Sequence, residues 1–190
     1  MKIVLASASP RRRELLQMLG LEDFLICPAK GEELPPDHAT PEETVCSLAS
    51  AKAREVAAKF SPDTLIIAAD TIVVADQKIL GKPHSEDEAF RMLRMLSGRT
   101  HEVYTGVSLM RDGEMLTRAE CTKVRFRELS DGEIRNYIAT GEPMDKAGAY
   151  GAQGKASLFV KGIEGDFFNV VGLPLCLLGS MLKGKGVTIL

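Results

Sequence analysis

The sequence predicts an α/β fold in which helices flank a mixed sheet. Two observations carry this prediction: helices and strands alternate over the first half of the chain, and a hairpin signal, Asp112-Gly113, follows in the second half. The chain has 190 residues, the ordinary size of one domain with its own hydrophobic core. We therefore expect a single domain over residues 1–190.

Composition excludes several classes of protein. The chain has 24 Lys and Arg residues against 26 Asp and Glu residues, which argues against binding a nucleic-acid polymer or an anionic membrane through bulk charge. Its apolar runs fall far short of the ~20 residues that span a bilayer. The 4 cysteines form no C-x-x-C pair, which is typical of reduced thiols. We expect a cytoplasmic protein, monomeric or homodimeric, whose partners include neither nucleic-acid polymers nor membranes.

The first half of the chain alternates between predicted strands and helices. Lys2–Ala6 is apolar and predicts the first strand. Ser9-Pro10 predicts a helix start, since Ser is a good N-cap and Pro suits the first helical position. Phe24–Cys27 predicts a second strand. Thr40-Pro41-Glu42-Glu43 is a capping box that predicts a long helix to about Lys59.

The second half is predicted to hold a buried segment, a hairpin and several short elements. Thr64–Ala75 is either one buried strand or a strand pair interrupted by Asp70-Thr71. Asp112-Gly113 predicts a two-residue hairpin turn between two strands. Ser85 and Ser130 each precede a glutamate by three residues and predict helix starts. The last predicted elements are strands at Ser157–Val160 and Phe168–Val171 and a helix that opens at Pro174.

Three consecutive arginines, Arg11 to Arg13, follow the predicted N-cap Ser9. Cationic side chains are unfavourable at a helix N-terminus, where the unpaired backbone N–H groups are already partially positive. A bound anion removes this conflict, because helix N–H groups, a Ser hydroxyl and guanidinium groups all suit phosphate oxygens. The alternative is a capped helix with a solvated basic turn.

Asp70 lies within a long apolar run, where an ionised carboxylate is costly unless it is paired or binds a cation. It is either part of a functional site or one member of a structural ion pair. Lys52 falls on the apolar face of its predicted helix, so it either faces Asp70 or extends past short alanines into solvent. Lys82 lies in the tight loop Gly81-Lys82-Pro83, where a lysine is either catalytic or solvated.

A glycine-rich loop, Asp145 to Lys155, could approach a ligand through its backbone, with Gln153 available to read a base edge. It does not match the Walker A pattern, and an irregular crossover packed by small residues is the alternative. The histidines and cysteines lack zinc-type spacing. Glu32, Glu33 and Asp70 are carboxylates that suit a hard cation such as Mg²⁺ or Mn²⁺.

Seven motifs occur in a fixed order along the chain. They are Leu5-Ala6-Ser7-x-Ser9-Pro10-Arg11-Arg12, Ala69-Asp70-Thr71, Gly81-Lys82-Pro83, Leu96-Ser97-Gly98, Glu142-Pro143-Met144-Asp145-Lys146-Ala147-Gly148-Ala149-Tyr150-Gly151, Gln153-Gly154 and Val171-Gly172-Leu173-Pro174. In these motifs the chain resembles the Maf family of nucleoside triphosphate pyrophosphatases. The resemblance extends from about Ile3 to Leu178.

The resemblance implies a Maf/inosine-triphosphatase-like fold, with a curved mixed sheet and a cleft between two lobes. It also implies hydrolysis of dTTP and UTP, or of modified pyrimidine triphosphates, to a monophosphate and pyrophosphate with a divalent metal cation. A non-catalytic nucleotide-binding regulator of septum formation is the alternative.

The resemblance also implies roles for individual residues. Asp70 matches the proton acceptor, and Glu33, with Glu32 as the alternative, matches a metal or water contact. From its carboxylate chemistry we expect Asp70 to bind the metal, to activate water, or to do both through a bound water. Arg12, Thr71 and Gln153 match positions that set pyrimidine preference. The residues that match the substrate-phosphate region are Ser9, Arg12, Arg13, Lys52 and Lys82, and we expect the two lysines to assist catalysis.

Overall fold

The computed structural model describes residues 1–31 and 35–190. The strands in these residues are β1 (Ile3–Leu5), β2 (Phe24–Ile26), β3 (Leu65–Ala75), β4 (Lys78–Leu80), β5 (Thr100–Arg111), β6 (Glu114–Phe126) and β7 (Val160–Glu164). The α-helices are α1 (Pro10–Met18), α2 (Pro41–Ala57), α3 (Glu86–Leu96), α4 (Asp131–Ile138), α5 (Phe167–Val171) and α6 (Leu175–Gly184). Three short 3₁₀ turns cover Glu142–Asp145, Ala147–Ala149 and Lys155–Leu158.

The strands form one sheet in the order β2-β1-β3-β5-β6-β7, with β4 paired to β3. β1 is parallel to both β2 and β3, whereas the β3–β4 and β6–β7 pairs are antiparallel. The predicted α/β fold with a mixed sheet flanked by helices is therefore confirmed.

The chain divides into two compact units. The first contains Met1–Asp70, Thr105–Glu120 and Gly172–Leu190, and the second contains Thr71–Tyr104 and Cys121–Val171. In the first unit, β1 and β3 pack against Ala53 and Val56 of α2. In the second unit, α3 and α4 enclose a core that includes Phe126, Tyr137 and Phe159. The expectation of one domain over residues 1–190 stays a prediction.

Helix caps form where the sequence predicts them. The hydroxyls of Ser9, Thr40, Ser85 and Ser130 each accept a hydrogen bond from the backbone N–H three residues later. Thr40 and Ser130 form complete capping boxes with Glu43 and Glu133. These caps determine where α1 to α4 begin.

The hairpin between β5 and β6 also forms as predicted. Asp112 and Gly113 have φ angles of 52° and 78°, the left-handed conformation that a two-residue hairpin turn of this type requires. Thr64–Ala75 contains one continuous strand, β3, rather than a strand pair.

Two predicted strands are wrong. In Ser157–Val160, the first two residues lie in a 3₁₀ turn, and the strand that follows, β7, begins only at Val160. Phe168–Val171 belongs to helix α5, where the carboxylate of Asp166 accepts a hydrogen bond from the Phe168 N–H at 2.7 Å. A short apolar run does not separate a strand from a buried helix, and this cap decides the outcome.

No helix within residues 1–31 and 35–190 is both long and apolar enough to cross a membrane.

Candidate functional site

The carboxylate of Asp70 forms an ion pair with Lys52 in the first unit. The Lys52 Nζ atom lies 2.6 Å from Asp70 Oδ1, and the two side chains are only 19% and 15% exposed. Lys52 is therefore directed inward from α2 and does not extend into solvent. Partial burial makes this pair stronger than an exposed one, because water screens it less.

The position of Asp70 along β3 follows from strand pairing. Pairing between β3 and β1 ends at Ile67, and pairing with β4 begins at Val73. Asp70 is therefore inside a strand, but beyond the end of its parallel neighbour β1. Ligands of open α/β sheets bind at the carboxyl ends of parallel strands, and β1 ends here.

Arg12 joins three segments of the first unit. Its Nε–H donates to the carbonyl of Gly172 at 2.8 Å, and its Nη1 donates to the carbonyl of Ala69 at 2.8 Å and to Ser7 Oγ at 3.3 Å. Ala69 directly precedes Asp70 in β3. The guanidinium thereby holds the start of α1 against the backbone next to the Asp70 carboxylate.

Two hydroxyl groups suited to an anion, on Ser7 and the N-cap Ser9, directly precede the first turn of α1. Ser9 Oγ accepts from the Arg12 N–H at 3.5 Å, and Ser7 Oγ accepts from the Ser9 N–H at 3.2 Å. Arg13 is exposed on the surface of α1. Both the anion site and the solvated basic turn predicted from the sequence fit this arrangement.

Gly106 of β5 fixes the position of α2. A Cβ atom at this glycine would lie 2.5 Å from the carbonyl carbon of Val45 and 2.9 Å from the amide nitrogen of Cys46. The backbones of β5 and α2 are therefore in direct contact, an approach that only glycine permits. Lys52 is on the same helix, so this contact helps to place its side chain.

In the second unit, the loop around Lys82 contacts the glycine-rich segment. The Gly148 N–H donates to the carbonyl of Gly81 at 3.0 Å. Gly148 has φ 66°, and a Cβ there would lie within 3.0 Å of the Val73 side chain. The backbone contact fixes Gly81, and the adjacent Lys82 is exposed.

Gln153 is exposed in the segment between two of the 3₁₀ turns. On either side of it, backbone groups contact the side chains of Tyr137 and Glu142. Burial, with the adjacent Glu142 carboxylate, raises the pKa of Tyr137 far above its usual value. Its hydroxyl therefore remains a hydrogen-bond donor at any physiological pH.

The predicted metal contact Glu33, and its neighbour Glu32, lie outside the described residues. Within residues 1–31 and 35–190, no group of three or more His, Cys, Asp or Glu side chains is arranged to hold a metal ion. Asp70 is thus the one predicted metal contact whose position the structure gives.

Comparison with known families identifies the chain. A family model described as Maf-like protein matches residues 2–185, nearly its whole length. The chain belongs to the Maf family.

Close relatives of this Maf chain are similar over their full lengths. A protein of Moorella thermoacetica named dTTP/UTP pyrophosphatase is 54% identical over 99% of this chain and 97% of its own length. One of Pelotomaculum thermopropionicum with the same name is 52% identical over 100% of this chain and 99% of its own. A solved structure of a HAM1 protein from Coxiella burnetii is 17% identical, with TM-score 0.54 over 97% of this chain and 99% of that one. The last likeness concerns the fold alone.

The predicted site residues of the Maf chain fall into both units. Ser9, Arg12, Arg13, Lys52 and Asp70 belong to the first unit, and Thr71, Lys82 and Gln153 belong to the second. Within the first unit, the structure brings Lys52 to Asp70 and Arg12 to the residue before Asp70.

Sequence reasoning missed two residues that shape these surroundings. Gly106 lies inside a predicted strand, and an isolated glycine there is a recognised sign of close backbone approach. Glu142 belongs to one of the seven motifs, but its residue type alone gives no sign that its carboxylate accepts from the Tyr137 hydroxyl and the Lys155 N–H. For the fold, the missed local signal is Asp166, the cap of α5.

Proposed function

We propose that this Maf-family chain hydrolyses dTTP and UTP to the nucleoside monophosphate and pyrophosphate. The structural observation that carries the proposal is the Lys52–Asp70 pair, which adjoins the backbone bound by Arg12 at the start of α1. It places a carboxylate and a cation beside a helix N-terminus suited to phosphate. Relatives with 54% and 52% sequence identity to the chain are named dTTP/UTP pyrophosphatase, and these names support the same activity and its pyrimidine substrates.

Asp70 acts as the proton acceptor in this proposal. A water oxygen attacks the α-phosphorus, and the bond from that phosphorus to the oxygen bridging to the β-phosphorus breaks. Pyrophosphate leaves with the electron pair of the broken bond, and the water proton passes to Asp70. The Lys52 ammonium, 2.6 Å from Oδ1, holds the carboxylate in one orientation.

Positive charge offsets the charge that develops on pyrophosphate as it leaves. We assign this role to Lys52 and Lys82. The Ser9 hydroxyl, Arg13 and the first-turn N–H groups of α1 bind phosphate oxygens. Arg12 contributes by holding this turn in place, as well as through the substrate contact that the motif predicts.

Recognition of the pyrimidine is assigned to Thr71 and Gln153 by their positions in the family motifs. An amide such as Gln153 both donates and accepts, so it can pair with the edge of uracil or thymine. The same motif positions support Arg12 as a contributor to pyrimidine preference.

A divalent cation, Mg²⁺ or Mn²⁺, fits the residues present. Such ions bind through one or two carboxylates together with substrate phosphates, so fewer than three protein ligands suffice. These ions prefer carboxylate oxygen as a ligand, which Asp70 offers. Lys52 donates to the Oδ1 atom of this carboxylate. Asp70 would hold the cation, with Glu33 as the second candidate ligand. When bound, the cation supplies charge that neutralises phosphate oxygens.

A nucleotide panel with Asp70→Asn tests the proposal. We expect the wild-type protein with Mg²⁺ or Mn²⁺ to release monophosphate and pyrophosphate from dTTP and UTP. Asp70→Asn should lower kcat by about 10³-fold or more while the protein stays folded. Asp63→Asn, an exposed carboxylate of the same unit, is the matched control and should retain full activity. Diphosphate and orthophosphate as products would contradict the proposed bond cleavage.

The same panel addresses modified pyrimidine triphosphates. A kcat/KM for 5-methyl-UTP or pseudouridine triphosphate well above that for UTP would make these the preferred substrates of the same reaction. The relatives' names favour hydrolysis over a purely binding role in septum formation. A cytoplasmic location and a monomeric or homodimeric state remain predictions.

A further inference from the structure

We propose that Glu142 is a positioning residue that fixes the segment carrying Gln153 and thereby sets nucleobase selectivity. This inference rests on the proposed function, because it assigns to Gln153 the reading of the base. The residues that carry it all belong to the second unit.

The Glu142 carboxylate binds two separate parts of that unit. Its Oε1 accepts from the Tyr137 hydroxyl at 3.0 Å, and its Oε2 accepts from the Lys155 N–H at 3.1 Å. The Tyr137 oxygen in turn accepts from the Gly151 N–H at 3.3 Å. One carboxylate thereby reaches residues 151 and 155, directly at one end and through the Tyr137 hydroxyl at the other.

Two glycines, Gly151 and Gly154, allow the backbone of the segment that carries Gln153 to contact the side chains of Lys146 and Glu142 directly. A Cβ atom on Gly154 would overlap the Glu142 carboxylate itself. A Cβ on Gly151 would lie 2.7 Å from Cε of Lys146. The Lys146 ammonium donates to the Glu142 carbonyl at 2.6 Å. The side chain that packs against Gly151 is therefore itself bound to the backbone of residue 142.

Gln153 lies between these two fixed ends. Its side chain is exposed, whereas Gly151 is buried. With residues 151 and 155 both held, the three residues between them have few backbone conformations to choose from. The direction in which the Gln153 amide leaves the backbone is therefore set by Glu142 and Tyr137.

The arrangement requires a group with two acceptor oxygens. Glutamine at position 142 would keep one acceptor, and its amide N–H₂ would face either the Lys155 N–H or the Tyr137 hydroxyl. The Lys155 N–H cannot reverse its role, so the amide oxygen must stay there. The Tyr137 hydroxyl then meets donors from both Gly151 and residue 142, and the contact to Gly151 weakens.

The test compares Glu142→Gln with Glu133→Gln. Glu133 is a matched control because it also accepts from a backbone N–H, that of Ser130 at 2.9 Å, but it caps α4 and does not contact residues 151–155. The substrates are UTP, CTP and methyl triphosphate, which has no base. Affinities for the non-hydrolysable α,β-imido analogues of UTP and CTP are measured alongside turnover.

We expect Glu142→Gln to lower the UTP-to-CTP ratio of kcat/KM about tenfold, the size of one lost hydrogen bond. The rate with methyl triphosphate should be unchanged, and Glu133→Gln should keep the wild-type ratio. Tyr137→Phe removes only the hydroxyl between Gly151 and Glu142, and it should also lower the UTP-to-CTP ratio. This variant takes the place of Glu142→Gln in the test if Glu142→Gln does not fold.

A folded Glu142→Gln protein that keeps the wild-type ratio, or that loses UTP and methyl triphosphate hydrolysis equally, would overturn the inference. Failure of the proposed function gives a different result, because the wild-type protein would then hydrolyse none of the three substrates. In that case the two analogue affinities still decide the inference: a wild-type preference for the UTP analogue that Glu142→Gln abolishes supports it, and no change contradicts it.

Discussion

Lys52 Nζ lies 2.6 Å from Asp70 Oδ1, and the pair joins helix α2 to the middle of strand β3. Neither side chain is more than one-fifth exposed. The two charges are therefore energetically coupled, and a change to either one has consequences for stability as well as for turnover.

A double-mutant cycle measures this coupling. Lys52→Met and Asp70→Asn should each lower the free energy of unfolding by about 1–3 kcal/mol, because each removes one charge of a mostly buried ion pair. The double variant should lose at least about 1 kcal/mol less than the sum of the two. Urea denaturation at pH 7 gives the four values. Strict additivity would mean that the two charges do not interact.

Gly106→Ala should displace α2. The added Cβ would meet the backbone of Val45 and Cys46, which cannot move without moving the helix. We expect a loss of about 2–4 kcal/mol in unfolding free energy and a fall in kcat as Lys52 shifts. Gly179→Ala in α6 is the control, since nothing lies within 4 Å of its Cβ position. That change should be neutral or stabilise by up to about 1 kcal/mol.

Replacing Arg12 should lower the free energy of unfolding much more than replacing Arg13. Arg12→Ala removes hydrogen bonds to two backbone carbonyls and should cost about 2 kcal/mol in unfolding free energy. Arg13 is exposed, so Arg13→Ala should change stability by less than about 0.5 kcal/mol while raising KM for the triphosphate. Thermal or urea unfolding and steady-state kinetics of both variants check this. Equal stability of the two proteins would show that the Arg12 bonds contribute nothing to folding.

His101 should make the protein less stable in mild acid. Its ring packs edge-to-face against Phe126 and Tyr150. Its Nδ1 is buried without a hydrogen bond from the described part of the chain, and burial lowers its pKa from 6.5 to about 4. Below pH 6.5 the unfolded chain takes up a proton that the folded protein does not. Stability is thus complete above about pH 6.5 and should fall by about 2 kcal/mol by pH 4.5.

A separate pH range distinguishes His101 from the carboxylates. Hydrogen bonds, chiefly with Lys59 and Arg127, lower the pKa of Glu55 and of Glu133 from 4.5 to about 2, so their contributions are lost only below about pH 4.5. His101→Phe should therefore flatten the stability curve between pH 6.5 and 4.5, and His84→Gln, at an exposed site, should not. A His101→Phe protein with the wild-type slope would assign the loss to other groups.

Local signals in the sequence predicted much of the fold. The four serine and threonine caps and the Asp112-Gly113 turn depend on residues at most three positions apart, and each formed as expected. The segment after Lys155 was less predictable, because its apolar runs are short and have no clear period. There the Asp166 cap outweighs the β propensity of Val170 and Val171.

Less of the candidate site was predictable. The inward direction of Lys52 follows from its place on the apolar face of α2, but its choice of Asp70 depends on how α2 meets the sheet at Gly106. The contact of Arg12 with Gly172 joins residues 160 positions apart, a distance over which no local pattern gives information. The sequence motifs therefore predicted which residues belong to the site, whereas the contacts of these residues depend on tertiary packing.

The Arg12 contact with Gly172 also bears on the order in which the chain can fold during synthesis. Residues 71–104 and 121–171 complete the second unit, whereas the first unit needs Gly172–Leu190 in addition to the first segment of the chain. Helix α1 is synthesised 160 residues before Gly172, so Arg12 cannot obtain its Gly172 acceptor until the second unit has been made. The first unit is thus completed only after the second, and a chain stopped before Gly172 would lack this support for α1 beside Asp70.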